Sequence, residues 1–385
     1  MKIITTTPEL AEFCARLAEE PFVALDTEFM RDQTYWAKLC LIQAAGRDEA
    51  AIIDPLAPGI DLAPFWALLR APSTIKVFHA ARQDIEIFHT QGKVLPSPMF
   101  DTQIAAMVCG YGEAASYESL VRQICKGTID KTHRFTDWAR RPLSERQLAY
   151  ALDDVTYLRD VYRSLQARLD KTGRMAWVAE EMGALISAET YELDPEEAWR
   201  RFKLRSGSRK MLAVLKAIAA WREREAQARD VPRGRILKDD AVLDVASHAP
   251  ATAEAMEHVR SIPKGFAQSR SGQGLLEAIK RGLAMKPDEI PQLDRDDRAR
   301  DADPGITDML KVLLRLKSDE HHVAARLIAS ASDVELLAAD DKADVPALHG
   351  WRFEIFGSDA LKLKRGELAL AAENGRLKVL AREKV

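Results

Sequence analysis

The stretch FVALDTEF, residues 22–29, sets two carboxylates, Asp26 and Glu28, in a run that otherwise favours extended backbone. Val, Phe and Thr suit a pleated strand, where acidic residues are depleted. Positions two apart on a strand point to one face, so both carboxylates project side by side. Like charges at that distance repel unless something positive lies between them. Two explanations compete. One is an edge strand with an acidic solvent face; the other is a site for a hard divalent cation, which prefers clustered carboxylate oxygens. The choice depends on partners elsewhere in the chain.

Around this stretch the pattern is regular. TPELAEFCARLAE, 7–19, has Pro8 in a first turn and Leu10, Phe13, Cys14 and Leu17 at helical spacing. KLCLIQAA at 38–45 and AAIIDPL at 50–56 follow the first strand over short polar connections, which predicts an antiparallel meander. A helix near 61–70 leads to a fourth strand, IKVFHA at 75–80, and then to the helix ARQDIEIFHTQG, ending at Gly92. Strands followed by alternating helices and strands predict an α/β domain, a mixed sheet with helices on its faces.

The clearest helix is PLSERQLAYALDDVTYLRDVYRSLQARL, 142–169. Ser144 and Gln147 form a capping box just after Pro142, and Leu148, Leu152, Val155, Leu158 and Val161 or Tyr162 make the apolar stripe. From about 208 the chain reads as helices broken at VPRGR, HAPAT and SIPKG. KPDEIPQLDRDDRARDADPG, 286–305, reads as a linker. A further helical segment follows, with strand-like pieces near 351–380.

Composition narrows the function classes. A chain of 385 residues exceeds one ordinary core, so two or three domains are expected. A hydrophobic fraction of 47% and a charged fraction of 30% describe a globular protein. No apolar run approaches the roughly 18 residues that cross a bilayer, and MKIITTTPELAEF lacks the long apolar region of a signal peptide, so a cytoplasmic address is expected. Cys14, Cys40, Cys109 and Cys125 are scattered without a C-x-x-C pair, against a zinc site or a disulfide framework. SGSRKMLA, 206–213, lacks the phosphate-cradling spacing of a P-loop, so no nucleotide cofactor is expected.

The net charge of −3 conceals an asymmetry. Residues 1–199 carry 21 Lys/Arg against 30 Asp/Glu, residues 200–286 carry 19 against 9, and residues 287–385 carry 16 against 20. A basic module beside an acidic one predicts that the middle segment meets a polyanion, nucleic acid above all. On this reading residues 1–199 hold the chemistry, and a fragment ending near 200 should still cleave short oligonucleotides.

Asp26 and Glu28 find candidate companions downstream. Asp84 falls in the first turn of the helix after IKVFHA, where a carboxylate is also favoured as a cap. Tyr150 and Asp154 are one turn apart on the long helix and share a face. Asp153, three residues from Tyr150, lies near that face too, and spacing does not choose between the two aspartates.

VALDTEF, then VFHAARQDIEIF, then TDWARRPLSERQLAYALDDVTYL closely resemble, in order, the three exonuclease motifs of the ribonuclease D family. That family lies in the tyrosine-containing branch of the DEDD superfamily of 3′–5′ exonucleases. GSRKMLAVLKAIAAWREREAQARDVPRGRILKDDAVLDVA resembles the HRDC domain, a small helical nucleic-acid-binding module. The resemblance implies an RNase H-like mixed-sheet exonuclease domain at 1–170, a helical linker at 171–207, an HRDC domain at 208–287, a linker at 288–305 and a second, HRDC-like domain at 306–385. It selects Asp26, Glu28, Asp84 and Asp154 as ligands of two divalent metal ions, Mg²⁺ or Mn²⁺, and Tyr150 to align the attacking water. Asp153 matches no ligand of the family. Asp101 lies outside the motifs and reads as a strand-end hydrogen-bond acceptor, while His79 and His133 read as structural or substrate-proximal.

The implied activity is metal-dependent 3′–5′ exoribonuclease action releasing nucleoside 5′-monophosphates. The implied substrates are single-stranded 3′ ends of tRNA precursors, met by a monomer without membrane contact. A 3′–5′ exonuclease acting on DNA and a non-catalytic RNA-binding protein are the alternatives. Four carboxylates suit the first reading physically, because two ions flanking a scissile phosphate need hard anionic ligands.

Overall fold

The computed structural model describes residues 2–130, 132, 136–204, 206–293 and 302–382. Its central sheet begins with a two-residue strand, β1 (Ile3–Ile4), followed by helix α1 (Thr7–Ala18), whose Leu10, Phe13, Cys14 and Leu17 are all buried. Next come β2 (Phe22–Met30), β3 (Lys38–Ala45), β4 (Ala50–Ile53), α2 (Ala63–Arg70), β5 (Ile75–Phe78), α3 (Arg82–Gly92), β6 (Met99–Asp101) and α4 (Thr102–Val108). The strand order is β1-β4-β3-β2-β5-β6. β2, β3 and β4 form the expected antiparallel meander, and parallel pairings add β1 to β4, β5 to β2 and β6 to β5. The sheet is therefore mixed, with β2 near its centre.

After α5 (Tyr117–Leu120), the long helix α6 (Glu145–Thr172) starts at Ser144 with its capping box intact and ends at left-handed Gly173. α6 crosses the sheet, packing against β2, β3 and β4. Its Leu148 and Ala151 join Cys40, Leu41, Ile52 and Trp138 in one apolar cluster, and its later stripe from Val155 to Leu169 joins the main core. Each fully buried side chain of this size stabilises the fold by about 1.5–3 kcal/mol. The crossing brings the start of α6 over the strand that carries Asp26 and Glu28.

Helix α7 (Met175–Leu185) still packs on the core of the sheet domain through Val178 and Met182, whereas Ala198, Trp199 and Phe202 already belong to a second core. That second core surrounds α8 (Arg209–Arg229), with α9 (Arg233–Ile236), α10 (Asp239–His248), α11 (Ala253–Glu257) and α12 (Arg270–Leu283). α12 packs closely on α8 at Gly282, where a Cβ would stand 2.7 Å from Val214 Cα, so only glycine admits this approach.

A third core contains the helices Pro304–His321, Ala325–Ile328 and Ala331–Ala339. Their order repeats that of α8, α9 and α10, at one constant offset from the end of the first helix to the start of the third. The repeat includes the left-handed residue after that helix, Asp230 in one unit and His322 in the other. The expectation of strand-like pieces near 351–380 needs correction. Gly350–Lys364 is helical, and strands occur only at Leu368–Glu373 and Arg376–Ala381, as an antiparallel hairpin. Trp351, Ile355, Phe356, Ala360 and Leu363 recur at helical spacing and are buried on one side; their bulk and aromaticity mimic a strand only locally. Part of the linker read at 286–305 lies outside the described residues.

Candidate active site

Asp26 and Glu28 stand on the same face of β2, close to where its ladder with β3 is interrupted. The pairing slips between Glu28 and Phe29, leaving Cys40 of β3 as the bulged residue. A bulge twists a strand locally and re-aims its side chains. Carboxylate oxygens of Asp26, Glu28 and Asp154 all lie within 4.8 Å of one another. Two short segments, distant in sequence, thus supply one acidic focus. Of the two adjacent aspartates on α6 it is Asp154 that joins the group. Asp153 is partly exposed, and its backbone carbonyl accepts the Tyr117 hydroxyl at 2.9 Å.

Asp84, buried in the first turn of α3, lines the same cleft but stands beside this trio rather than within it. Thr27, whose side chain leaves β2 on the face opposite Asp26, donates its hydroxyl to Asp84. The turn that delivers Asp84 is fixed from below. Asp101, at the end of β6, accepts from the backbone N–H groups of Ala80 (3.0 Å) and Ala81 (2.8 Å), and also from Gln103 at the start of α4. Ala80 sits in the left-handed region at φ 61°, a conformation that these bonds hold in place. Asp101 is the strand-end acceptor that its position suggested.

Burial pushes the Asp26 carboxyl well above the usual carboxylate range, and the charge of Asp154 pushes it further. Asp84 is raised by burial and then by Asp26, against the opposing pull of the Thr27 hydrogen bond. Carboxylates gathered like this are costly to keep ionised without a counter-charge. A hard divalent cation supplies one, and an all-oxygen donor set fits Mg²⁺ or Mn²⁺ rather than a thiophilic metal.

Tyr150 lies one turn before Asp154 and hydrogen-bonds to it; burial, followed by the charges of Asp154, Glu28 and Asp26, raises the phenol far above its usual range. It is therefore un-ionised at neutral pH. Trp138 packs its ring 6.1 Å from that of Tyr150, tilted by 30°. The segment bearing Trp138 is anchored by Arg141, whose Nε and Nη2 pair with the Asp54 carboxylate at 2.7 Å each. Its Nη1 reaches Trp138 O and its Nη2 reaches Cys40 O, both at 2.7 Å. Arg141 thereby ties the bulge behind Glu28 to the residue packed on Tyr150.

His79 also lines the cleft, with Nδ1 3.0 Å from Thr102 Oγ1 and its ring beside that of Tyr117; burial lowers its pKa. It takes no place in the carboxylate trio. His133 lies outside the described residues. The cleft measures about 690 Å³, space for a nucleotide, and Met30, Arg31, Gln103 and Tyr117 complete its walls. Thr27, Trp138, Arg141 and Tyr117 were given no role from the sequence. The first three lie inside the motifs quoted above, but the contact that gives each its task is tertiary.

Residues 1–170 match the family model of a 3′–5′ exonuclease, and residues 211–279 match that of the HRDC domain. The chain is 54% identical to ribonuclease D of Nitrobacter hamburgensis over 98% of both sequences. It is 51% identical to ribonuclease D of Acidiphilium cryptum, over 98% of this chain and 96% of that protein. Among solved structures it superposes on Escherichia coli RNase D, an exoribonuclease involved in structured RNA processing. The TM-score is 0.80 and the identity 31%, over 95% of this chain and 98% of that one.

Proposed function

The chain belongs to the ribonuclease D family, and from that premise we propose that its carboxylate cleft removes nucleotides one at a time from RNA 3′ ends. The protein is a 3′–5′ exoribonuclease, a hydrolase. The observation that carries the reading is the meeting of Asp26, Glu28 and Asp154 at the floor of a nucleotide-sized cleft.

We assign Asp26, Glu28, Asp84 and Asp154 as the metal-binding carboxylates, for two ions of Mg²⁺ or Mn²⁺. When bound, such ions acidify a water and offset the charge that builds on the scissile phosphate. The remaining work falls to side chains. Tyr150 directs its hydroxyl proton to Asp154, and its oxygen lone pairs are left to accept a hydrogen bond from the attacking water. Trp138 limits the tilt of the Tyr150 ring, and Arg141 fixes Trp138. Asp101, through the turn at Ala80, sets the position of Asp84. Tyr117 and His79 form the wall against which a terminal nucleotide would rest.

The natural substrates in this reading are single-stranded 3′ ends of tRNA precursors, processed by a monomer in the cytoplasm. Residues 200–286, with their excess of Lys and Arg, supply the attraction to the phosphate backbone. The domain limits we adopt are 1–170, 171–207, 208–287, 288–305 and 306–385. Counting the last as a second HRDC-like unit is supported by the helix order it shares with 209–248. Among the described residues, no helix is long and apolar enough to cross a membrane.

The test uses 5′-labelled single-stranded RNA and DNA of one sequence, with Mg²⁺ or Mn²⁺ and with EDTA. RNA should shorten stepwise from its 3′ end, releasing nucleoside 5′-monophosphates, only when metal is present. Equal shortening of DNA would mean that the 2′-hydroxyl is not read. Binding of RNA without cleavage of either strand would sink the enzymatic reading.

A further inference from the structure

The loop between β2 and β3, residues 31–37, takes its anchor from another domain. Tyr35 is 5% exposed, and its neighbours are those of the second core, which holds Ile236 and Leu237. The backbone N–H groups of Tyr35 and Trp36 both donate to Asp230 Oδ1, at 3.0 and 2.9 Å. Asp230 ends α8 in the left-handed region, at φ 48°. The Tyr35 hydroxyl donates to Glu223 and accepts from Gln227 Nε2 at 3.1 Å and Arg233 Nη2 at 2.9 Å. Arg233 also pairs with Glu223 and lies over the Tyr35 ring, 4.5 Å from its centroid. Two residues before Tyr35, Gln33 accepts a hydrogen bond from Arg235.

The other end of this loop is active-site wall. Arg31 and Asp32 line the cleft directly after β2, and Arg31 pairs with Glu86 on α3, two residues beyond Asp84. One short segment therefore joins the strand bearing Asp26 and Glu28 to a polar knot in the helical domain, buried at Tyr35 and Glu223. An irregular loop has no ladder to define it, so its conformation is set by these contacts.

We propose that the helical domain positions the wall of the cleavage cleft through this knot, with Asp230 and Tyr35 as positioning residues. The basic segment then has two tasks: it attracts RNA, and it holds the far side of the site in register. The inference rests on the reading of the cleft as the place of cleavage. A misplacement of the order of 1 Å lowers the rate of a positioned reaction by about 10²-fold, so a loosened wall should lower kcat. A domain that served only as a tether would change KM on long RNA and leave turnover of a very short substrate alone.

Position 230 permits a clean test in the full-length protein. Asp230→Gly suits the left-handed helix end, so α8 should still terminate normally, but the acceptor is gone. Asp230→Asn keeps an oxygen acceptor and tolerates the same backbone. The substrate is a 5′-labelled pentaribonucleotide at saturating Mg²⁺ or Mn²⁺, and amide hydrogen exchange at Tyr35 and Trp36 is read in parallel. Asp230→Gly should lower kcat by about five- to tenfold, the scale of one or two lost hydrogen bonds, with KM nearly constant. Exchange at both amides should rise, and Asp230→Asn should restore most of both properties. Wild-type kcat in a Gly variant whose two amides exchange freely would overturn the proposal, as would unchanged exchange. Failure of the wild-type protein to cleave would instead sink the functional reading, and the exchange data would still decide whether Asp230 holds the loop.

Discussion

Tyr150 and Asp154 are joined by a hydrogen bond along one turn of the helix that crosses the active-site strand. This places a neutral phenol beside the carboxylate trio without adding charge to it. Tyr150→Phe keeps the ring packed against Trp138 and keeps every carboxylate. A single positioning hydrogen bond is typically worth on the order of 10²–10³ in rate. Turnover is therefore expected to fall by that factor while Mn²⁺ affinity, read by calorimetry, barely changes. An equal loss of both would mark the tyrosine as structural.

The neighbouring aspartates separate by geometry. Asp154→Asn is expected to abolish metal-dependent cleavage, since its carboxylate meets Asp26 and Glu28. Asp153→Asn is expected to be tolerated, because its hydrogen bond with Tyr117 runs through the backbone. Steady-state rates of the two variants decide the matter, and the reverse order would contradict the assignment.

Arg141 offers a test of support rather than chemistry. Arg141→Met removes the partner of Asp54 and the donors to Cys40 O and Trp138 O. The pair is only partly screened, with the Asp54 side chain 13% exposed. A loss on the order of 3 kcal/mol is expected in urea unfolding. Turnover should also fall, because Trp138 is freed from its place on Tyr150. A fully stable variant with normal kcat would show that the anchor is dispensable.

Much of this site was legible in the sequence for a simple reason. FVALDTEF is a strand that breaks its own pattern with two same-face carboxylates, and Asp84, Tyr150 and Asp154 sit in segments whose helical phase is clear. The choice between Asp153 and Asp154 was not legible from spacing, since both lie near the Tyr150 face; only the crossing angle of α6 over β2 decides which meets Asp26. β1 and β6 are two and three residues long, too short for any alternation to show. Tyr35 gives no signal in the sequence, because its partners Glu223, Gln227 and Arg233 lie far along the chain.

The anchoring of Tyr35 changes what a truncation should do. A fragment ending near residue 200 would expose Tyr35 and release the amides held by Asp230. Its kcat on a pentaribonucleotide is expected to drop along with its affinity for long RNA, contrary to the independence of residues 1–199 that the charge pattern alone suggests. Melting the fragment beforehand shows whether it is folded. A folded fragment with full kcat would restore the simpler picture.

The basic segment's other role is tested at the exposed pair Lys280 and Arg281, at the end of α12. Replacing both with Ala should raise KM for tRNA-sized RNA and leave pentaribonucleotide turnover unchanged. For every phosphate that the variant no longer neutralises, the salt slope of binding should flatten by about 0.7 on single strands. An unaltered slope would remove these two residues from the RNA path.

The most direct measurement is the turnover of Asp26→Asn at saturating metal, taken with its thermal unfolding. In the metal-free protein the change relieves a half-buried carboxylate that Asp154 opposes, so Tm should hold or rise. The same change deletes a ligand charge from the centre of the site, and no RNA cleavage is expected at any concentration of Mg²⁺ or Mn²⁺. Near-normal cleavage by this folded variant would contradict the assignment of the carboxylate trio as the catalytic metal site.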